Sequence, residues 1–140
     1  MLNSSTLSTI WAPRALTLLR VMAGLLFVEH GTAKLFNFPE GGFPGSPPLA
    51  SMIGASAMME FAGGLLITIG LFTRPVAFLL AGEMAVAYFL VHAPGSFFPI
   101  LNHGEGAILY CFIFLYLFTT GAGPWSVDEM IIHRPAPPSS

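Results

Sequence analysis

The sequence predicts an all-α integral membrane protein, and three observations support this fold class. Hydrophobic residues make up 54% of the 140 residues and charged residues only 9%, against about 25% charged residues in an average soluble domain. The mean hydropathy is +0.75. The apolar residues form continuous stretches of helical length, without the alternation that is typical of membrane β-barrels. The net charge of −2 gives no basic surface for nucleic acid.

Four stretches have the composition and length of membrane-spanning helices. A hydrocarbon layer of about 30 Å requires about 20 helical residues. The predicted spans lie at about 14–36, 49–71, 75–93 and 104–121. Residues 14–121 therefore form a predicted four-transmembrane-helix bundle, which follows an N-terminal segment at residues 1–13.

The connecting segments support these limits. Residues 37–48 hold four prolines and three glycines, so they are predicted to form an ordered or interfacial loop. Between the second and third spans, Gly70 is predicted to end one helix, Thr73 to cap the next, and Pro75 to lie in its first turn. This short connection predicts a tight helical hairpin.

The sequence after the fourth span predicts a short amphipathic helix at the membrane interface. It lies within residues 122–133, where Ser126 and Glu129 match a capping box and Trp125 suits the interface. The tail at residues 134–140 is predicted to be disordered.

The distribution of basic residues predicts the orientation of the chain. Arg14 precedes the first span, Arg74 lies in the second connection, and Arg134 follows the fourth span. The first and third connections contain no Lys or Arg. The positive-inside rule therefore predicts that both termini are cytoplasmic.

Ionisable side chains occur inside or beside every predicted span. At 1.5 Å per helical residue, all of them should lie between the middle of the bilayer and its outer surface. A charge at mid-bilayer costs about 2.5–3.5 kcal/mol, so these side chains are expected to turn toward the bundle interior. The set comprises Glu29, His30, Lys34, Glu60, Glu83, His92, His103 and Glu105.

The acids of this set outnumber the fixed cations Lys34 and Arg20. A bundle with this imbalance must hold neutral carboxyls, a charged histidine or a bound cation, and each of these is typical of a proton- or cation-handling site. Structural alternatives exist: Glu60 and Glu83 could only fix helix packing, Lys34 could extend to the outer surface, and Glu105 could complement a helix dipole.

Cysteine content limits the redox chemistry of the chain. Cys111 is the single cysteine, so one chain cannot form a disulfide, a C-x-x-C pair or a thiolate metal cage. No metal site and no intrinsic cofactor are predicted, and redox chemistry would need a bound cofactor or a partner.

Several motifs together resemble the DoxX family of small four-helix bacterial membrane proteins. The first span carries H-G-x-x-K-L from His30 to Leu35. Similar stretches are EFAGGLLITIGLFTRPVA at 60–77, EMAVAYFLVHAPGSFFP at 83–99, HGEGAILYCF at 103–112 and GAGPWSVDE at 121–129. The resemblance implies a bundle in the bacterial inner membrane. It also implies a redox setting, because the family is named for subunits of a thiosulfate:quinone oxidoreductase or terminal quinol oxidase complex.

The first functional hypothesis is therefore a subunit of a quinone-linked oxidoreductase. Proton handling is assigned to Glu60, Glu83 and Glu29, and ligand binding to His30, Lys34, His103 and Glu105, with the last two also able to relay protons outward. Quinone is the expected ligand, and a partner subunit would supply the electron acceptor.

Three alternatives remain open at this point. The chain could be a non-catalytic accessory subunit of a larger membrane complex or a homo-oligomer. It could be a proton or cation carrier, although no inverted repeat is visible. It could also bind haem through His30 with His92 or His103.

Overall fold

The computed structural model describes residues 3–133 and confirms the predicted all-helical class, because that part of the chain contains helices and no strand. The predicted disordered tail at 134–140, with Arg134, lies outside the described residues. The helices are α1 (Ser4–Phe36), α2 (Met52–Ile69), α3 (Thr73–His92), α4 (Glu105–Thr120) and α5 (Val127–Ile132), with one helical turn at Pro99–Asn102.

Within residues 3–133, three helices are long and apolar enough to cross a membrane, namely α1, α2 and α3. The fourth apolar helix, α4, is shorter at 16 residues. Large apolar side chains such as Phe89 and Phe112 are exposed on the outside of the bundle. An outer surface of this kind suits hydrocarbon better than water.

Helix α1 begins well before the predicted limit of residue 14. It starts at Ser4 and contains a π-helical segment at Leu7–Trp11, which ends two residues before Pro13. Proline lacks the N–H that would continue the helical hydrogen bonds, and wider π turns are one way in which a helix accommodates such an interruption. The helix therefore continues through a region that the sequence indicated as a separate segment.

Glycines allow α1 and α2 to pack at very short range. A Cβ atom at Gly31 would lie 2.5 Å from the backbone N of Phe61, and one at Gly64 would lie 2.7 Å from the backbone N of Val28. Side chains at these positions would collide with the opposite backbone. Small residues at helix crossings are typical of membrane proteins, because helices in lipid associate through van der Waals packing rather than the hydrophobic effect, and small residues permit that close packing.

A shared aromatic and aliphatic core joins the α1–α2 pair to the α3–α4 pair. Phe27 of α1 and Phe114 of α4 are fully buried and meet edge to face, with ring centroids 4.6 Å apart. Ile67 and Leu80 pack into the same cluster. This shared core fixes the two helix pairs relative to each other.

The α2–α3 hairpin confirms one predicted helix end and corrects the other. Helix α2 ends at Gly70, whose φ of +70° is left-handed, as expected for a helix-terminating glycine. Thr73, however, does not cap α3: the left-handed turn falls at Phe72, which makes Thr73 the first helical residue. The cap comes instead from the distant Asp128, whose carboxylate accepts the N–H groups of Phe72 and Thr73 at 2.8 and 2.9 Å.

Two arginines bind helix C-termini at this same end of the bundle. The buried Arg20 donates to the carbonyls of Ile67 and Thr68 at the end of α2, at 2.8 and 2.6 Å, and to the carbonyl of Trp125 at 3.0 Å. Arg74 donates to the last carbonyls of α4. Cations suit helix C-termini, where unsatisfied carbonyls concentrate negative charge.

The predicted cap of the C-terminal helix is confirmed. Ser126 precedes α5, and its hydroxyl accepts the N–H of Glu129 at 3.2 Å. The hairpin end therefore combines this local cap with the distant cap that Asp128 supplies to α3.

Candidate functional site

A cavity of about 750 Å³ lies between α1, α2, α3 and α4, at the end away from the α2–α3 hairpin. It is bordered by the later part of α1, the first three turns of α2, the second half of α3 and the first turns of α4. Most of the lining side chains are apolar. A volume of several hundred Å³ with a few convergent polar groups is typical of a small-molecule site.

A chain of polar contacts crosses the wall of this cavity and joins three helices. The Lys34 ammonium of α1 lies 2.7 Å from Oε1 of Glu60 and donates to the Ser56 hydroxyl at 3.3 Å. The Ser56 hydroxyl in turn donates to Oε1 of Glu83 on α3 at 2.6 Å. We call these four residues the Lys34 cluster.

The local sequence explains how α1 and α2 bring the cluster together. In H-G-x-x-K-L, Gly31 permits the close approach to Phe61, and Lys34 follows one turn later on the adjoining surface. Ser56 and Glu60 are four residues apart and therefore share a face of α2. The glycine and the lysine of the motif thus act together, because Gly31 sets the short distance between α1 and α2 that Lys34 requires to contact Glu60.

The Lys34 cluster holds more acid than base. Glu60 is 2% exposed, and Oε2 of both Glu60 and Glu83 is buried without a hydrogen-bond partner among residues 3–133. One lysine faces two carboxyl groups, so the ionised cluster would carry one uncompensated negative charge. A buried, unpaired carboxylate oxygen is costly, so a proton or a hydrogen-bond donor at this position would stabilise the cluster.

Arg20 takes no part in this charge balance, although the sequence grouped it with Lys34. Arg20 is 1% exposed, and its guanidinium binds backbone carbonyls at the hairpin end. The acid excess at the cavity is therefore set against Lys34 alone.

Three histidines border the cavity: His30, His92 and His103. Nδ1 of His92 lies 2.9 Å from the carbonyl oxygen of Asn102. A carbonyl only accepts, so Nδ1 carries the hydrogen and Nε2 of the neutral ring is an acceptor. No group of three or more His, Cys, Asp or Glu side chains within the described part of the chain is arranged to hold a metal ion.

The structure places five of the seven predicted site residues around this cavity: His30, Lys34, Glu60, Glu83 and His103. Glu29 and Glu105 do not border it, and both are exposed.

Glu29 lies about 100° around α1 from His30, so only one of these neighbours can face the cavity. Glu105 is the first residue of α4, where a carboxylate complements the helix dipole.

Two residues that border the cavity were not among the predicted site residues. Ser56 bridges Lys34 to Glu83, and its spacing of four residues from Glu60 was the available signal. Tyr110 also borders the cavity and packs edge to face on Phe27, with ring centroids 4.8 Å apart. Nothing in the sequence distinguishes it from the other aromatic residues of α4.

Comparison with known proteins identifies the family. The sequence model described as DoxX matches residues 15–93, which include α1, α2 and α3 from Ala15 onward. The chain belongs to the DoxX family. The resemblance seen in the sequence is thereby confirmed, and the protein is a DoxX-family membrane protein with several apolar helices.

Relatives cover most of the chain. An uncharacterized protein of Haemophilus influenzae is 41% identical over 128 residues, covering 89% of this chain and 96% of the relative. The Escherichia coli protein named "Inner membrane protein YqjF" is 28% identical, covering 80% and 88%. The Bacillus subtilis protein named "Putative oxidoreductase CatD" is 32% identical, covering 81% and 84%. No solved structure matches this DoxX-family chain.

Proposed function

We propose that this protein is a subunit of a quinone-linked redox complex in the bacterial inner membrane, and that the Lys34 cluster handles protons for a quinone or quinol bound in the cavity. The observation that carries the proposal is the position of this cluster on the wall of an otherwise apolar cavity of about 750 Å³. The names of two relatives, an inner membrane protein and an oxidoreductase, support the setting.

The proposal includes a fourth membrane span and a defined orientation. Helix α4 is about 24 Å long at 1.5 Å per residue, and it packs along α3, so both helices would cross the same layer. Short spans are accommodated by local thinning of the bilayer. With Arg14 and Arg74 on the cytoplasmic side, the cavity lies toward the opposite surface.

The chemistry divides between this chain and a partner subunit. Oxidation of a quinol to a quinone releases two protons and two electrons. The cluster carboxyls, Glu60 and Glu83, would accept protons, and the electrons would pass to a redox centre of the partner. Apolar side chains of the lining, including Met59 and Met84, would hold the ring and keep water away from it.

Direct binding tests the proposal first. The purified chain in lipid nanodiscs is titrated calorimetrically with a decyl-substituted quinone and with its quinol, each under anaerobic conditions. At least one redox form should bind with measurable heat. Glu60→Gln should weaken that binding, while Glu129→Gln, an exposed change at the other end of the bundle, should not. Absence of binding by both forms would refute the proposed function.

Activity in the native complex tests the redox part. A tagged chain should co-purify with a redox partner, and Glu60→Gln should abolish the quinone-dependent turnover of that complex. Full turnover with Glu60→Gln would refute the assignment and support a non-catalytic accessory role. Heat of binding from protons or metal cations alone, without any quinone, would support the carrier alternative.

A further inference from the structure

The unused hydrogen-bonding capacity of the Lys34 cluster consists mainly of acceptors, with one N–H of Lys34 as the exception. Glu60 uses Oε1 to bind Lys34, and Glu83 uses Oε1 to bind Ser56. Oε2 of each carboxylate remains buried and unpartnered among residues 3–133. The Ser56 hydroxyl has a single hydrogen, and it is already donated to Glu83.

Two side chains of the same wall, Lys34 and His92, already donate to protein acceptors. Lys34 has three N–H groups, of which one binds Glu60 and another binds Ser56. Its ammonium also lies 5.9 Å from the ring centroid of Phe43, within the range of a cation–π contact. Nδ1–H of His92 is occupied by the carbonyl of Asn102.

From these unpaired acceptors and paired donors, and on the basis of the proposed function, we infer that the cavity selects the reduced, hydroxyl-bearing form of its ligand, an aromatic diol, over the corresponding quinone. A ligand hydroxyl can donate to Oε2 of Glu60 or Glu83 and so satisfies an acceptor that the protein leaves open. A quinone carbonyl has no hydrogen, and against an ionised carboxylate it would place one acceptor beside another. Hydrogen bonds to ionised groups are the strong ones, so this contact dominates the discrimination.

Both Oε2 oxygens are buried, so the carboxylates must rotate to present them to a ligand. Both side chains border the cavity, and the terminal torsion of glutamate is broad rather than fixed in narrow wells. The remaining polar side chains of the lining discriminate less, because the imidazoles of His30 and His103 and the phenol of Tyr110 can each donate or accept.

The same chemistry could reach the cavity from the membrane or from water. Met52, Ile53 and Leu90 border the cavity and are also exposed on the apolar exterior, so an alkyl tail could extend between α2 and α3 into hydrocarbon. A small free diol would not use these contacts. The two sources therefore differ in what a tail contributes to affinity.

The test compares four probes on the intact chain in nanodiscs, by anaerobic titration calorimetry. They are decyl-hydroquinone, the matching quinone, the dimethyl ether of the hydroquinone, and hydroquinone without the tail. The reduced probe should bind at least about tenfold more tightly than the quinone and the ether. A tenfold preference would raise the midpoint potential of the bound couple by about 30 mV, which a redox titration measures independently. Loss of affinity without the tail would identify a membrane-borne ligand, and equal affinity a free diol.

Glu83→Gln supplies the matched variant, because an amide can donate to a quinone carbonyl whereas a carboxylate cannot. The preference for the reduced probe should shrink or reverse in this variant and persist in Glu129→Gln. Equal binding of quinol and quinone by the wild-type chain would overturn this inference but leave the proposed function standing. Equal binding of quinol and its dimethyl ether would also overturn it, since the ether has no hydrogen to donate. If no probe binds, the proposed function fails as well.

Discussion

Adding one methyl group at Gly31 should disturb both the helix packing and the cavity. The new Cβ would lie 2.5 Å from the N and 2.7 Å from the Cα of Phe61. Backbone atoms of a helix cannot rotate away as a flexible side chain can. Helices α1 and α2 must therefore separate by about 1 Å at this crossing, which is the kind of overpacking that typically costs about 1–3 kcal/mol.

A second glycine provides the matched control. A Cβ at Gly82 of α3 would meet nothing within 4 Å, and alanine is favoured over glycine in a helix by about 1 kcal/mol. Gly82→Ala should therefore be neutral or stabilising. The same propensity gain partly offsets the clash at Gly31, which leaves a net loss of about 0–2 kcal/mol for Gly31→Ala, and a difference of about 1–3 kcal/mol from Gly82→Ala.

Unfolding by SDS in mixed micelles, followed by far-ultraviolet circular dichroism, measures both variants. Gly31→Ala should also weaken quinol binding, because Lys34 follows one turn later and its 2.7 Å contact with Glu60 depends on the spacing of the two helices. If Gly31→Ala were as stable as Gly82→Ala, the close helix crossing would not exist as described, and the account of the H-G-x-x-K-L motif would fail with it.

Further changes test separate parts of the structure. Lys34→Met should destabilise the chain by about 3–5 kcal/mol, since it leaves the buried Glu60 without its cation. Adding Glu60→Gln should recover part of this loss in SDS unfolding. If the free-energy changes of the two single variants simply added up in the double variant, the ion pair would be contradicted. Glu29→Gln should change the free energy of unfolding by less than about 0.5 kcal/mol and leave quinol affinity unchanged; reduced affinity would return Glu29 to the site. Asp128→Ala should cost about 1–2 kcal/mol through loss of the α3 cap and speed amide hydrogen exchange at the start of α3; unchanged exchange would contradict that cap. Arg20→Leu should lower the thermal midpoint, because three backbone carbonyls lose their donor, and an unchanged midpoint would show that those bonds contribute nothing.

Features that depend on a single stretch of chain could be predicted from the sequence. Continuous apolar composition predicted the helices, and the end of α2 at Gly70 and the cap at Ser126 followed from local backbone chemistry. Thr73 shows the limit of this reasoning. It has the residue type of a cap, but the turn falls one residue earlier, and Asp128 supplies the bonds from a distant segment. No local pattern contains that partner.

The candidate site likewise combines features that the sequence predicts with features that depend on contacts between distant segments. The sequence indicated that Lys34, Glu60 and Glu83 are too costly to face lipid and should turn inward. It could not choose between the neighbours Glu29 and His30, because helical periodicity fixes their angular separation but not which of them faces the bundle. That choice depends on where α2 crosses α1, which Gly31 decides through a contact across the two helices.

The two ends of the bundle are built differently, and this contrast bears on the proposed function. At the hairpin end, Gly63 packs against Leu80 so closely that a Cβ would lie 2.9 Å from Cδ2 of Leu80, and backbone caps fix the helix ends. Toward the cavity, the Ser56–Glu83 contact is the one side-chain hydrogen bond between α2 and α3 within residues 3–133. A proton or a ligand hydroxyl that reaches Glu83 therefore binds the same carboxyl group that accepts the Ser56 hydrogen bond, so ligand chemistry and the contact between these helices beside the cavity share one carboxyl group.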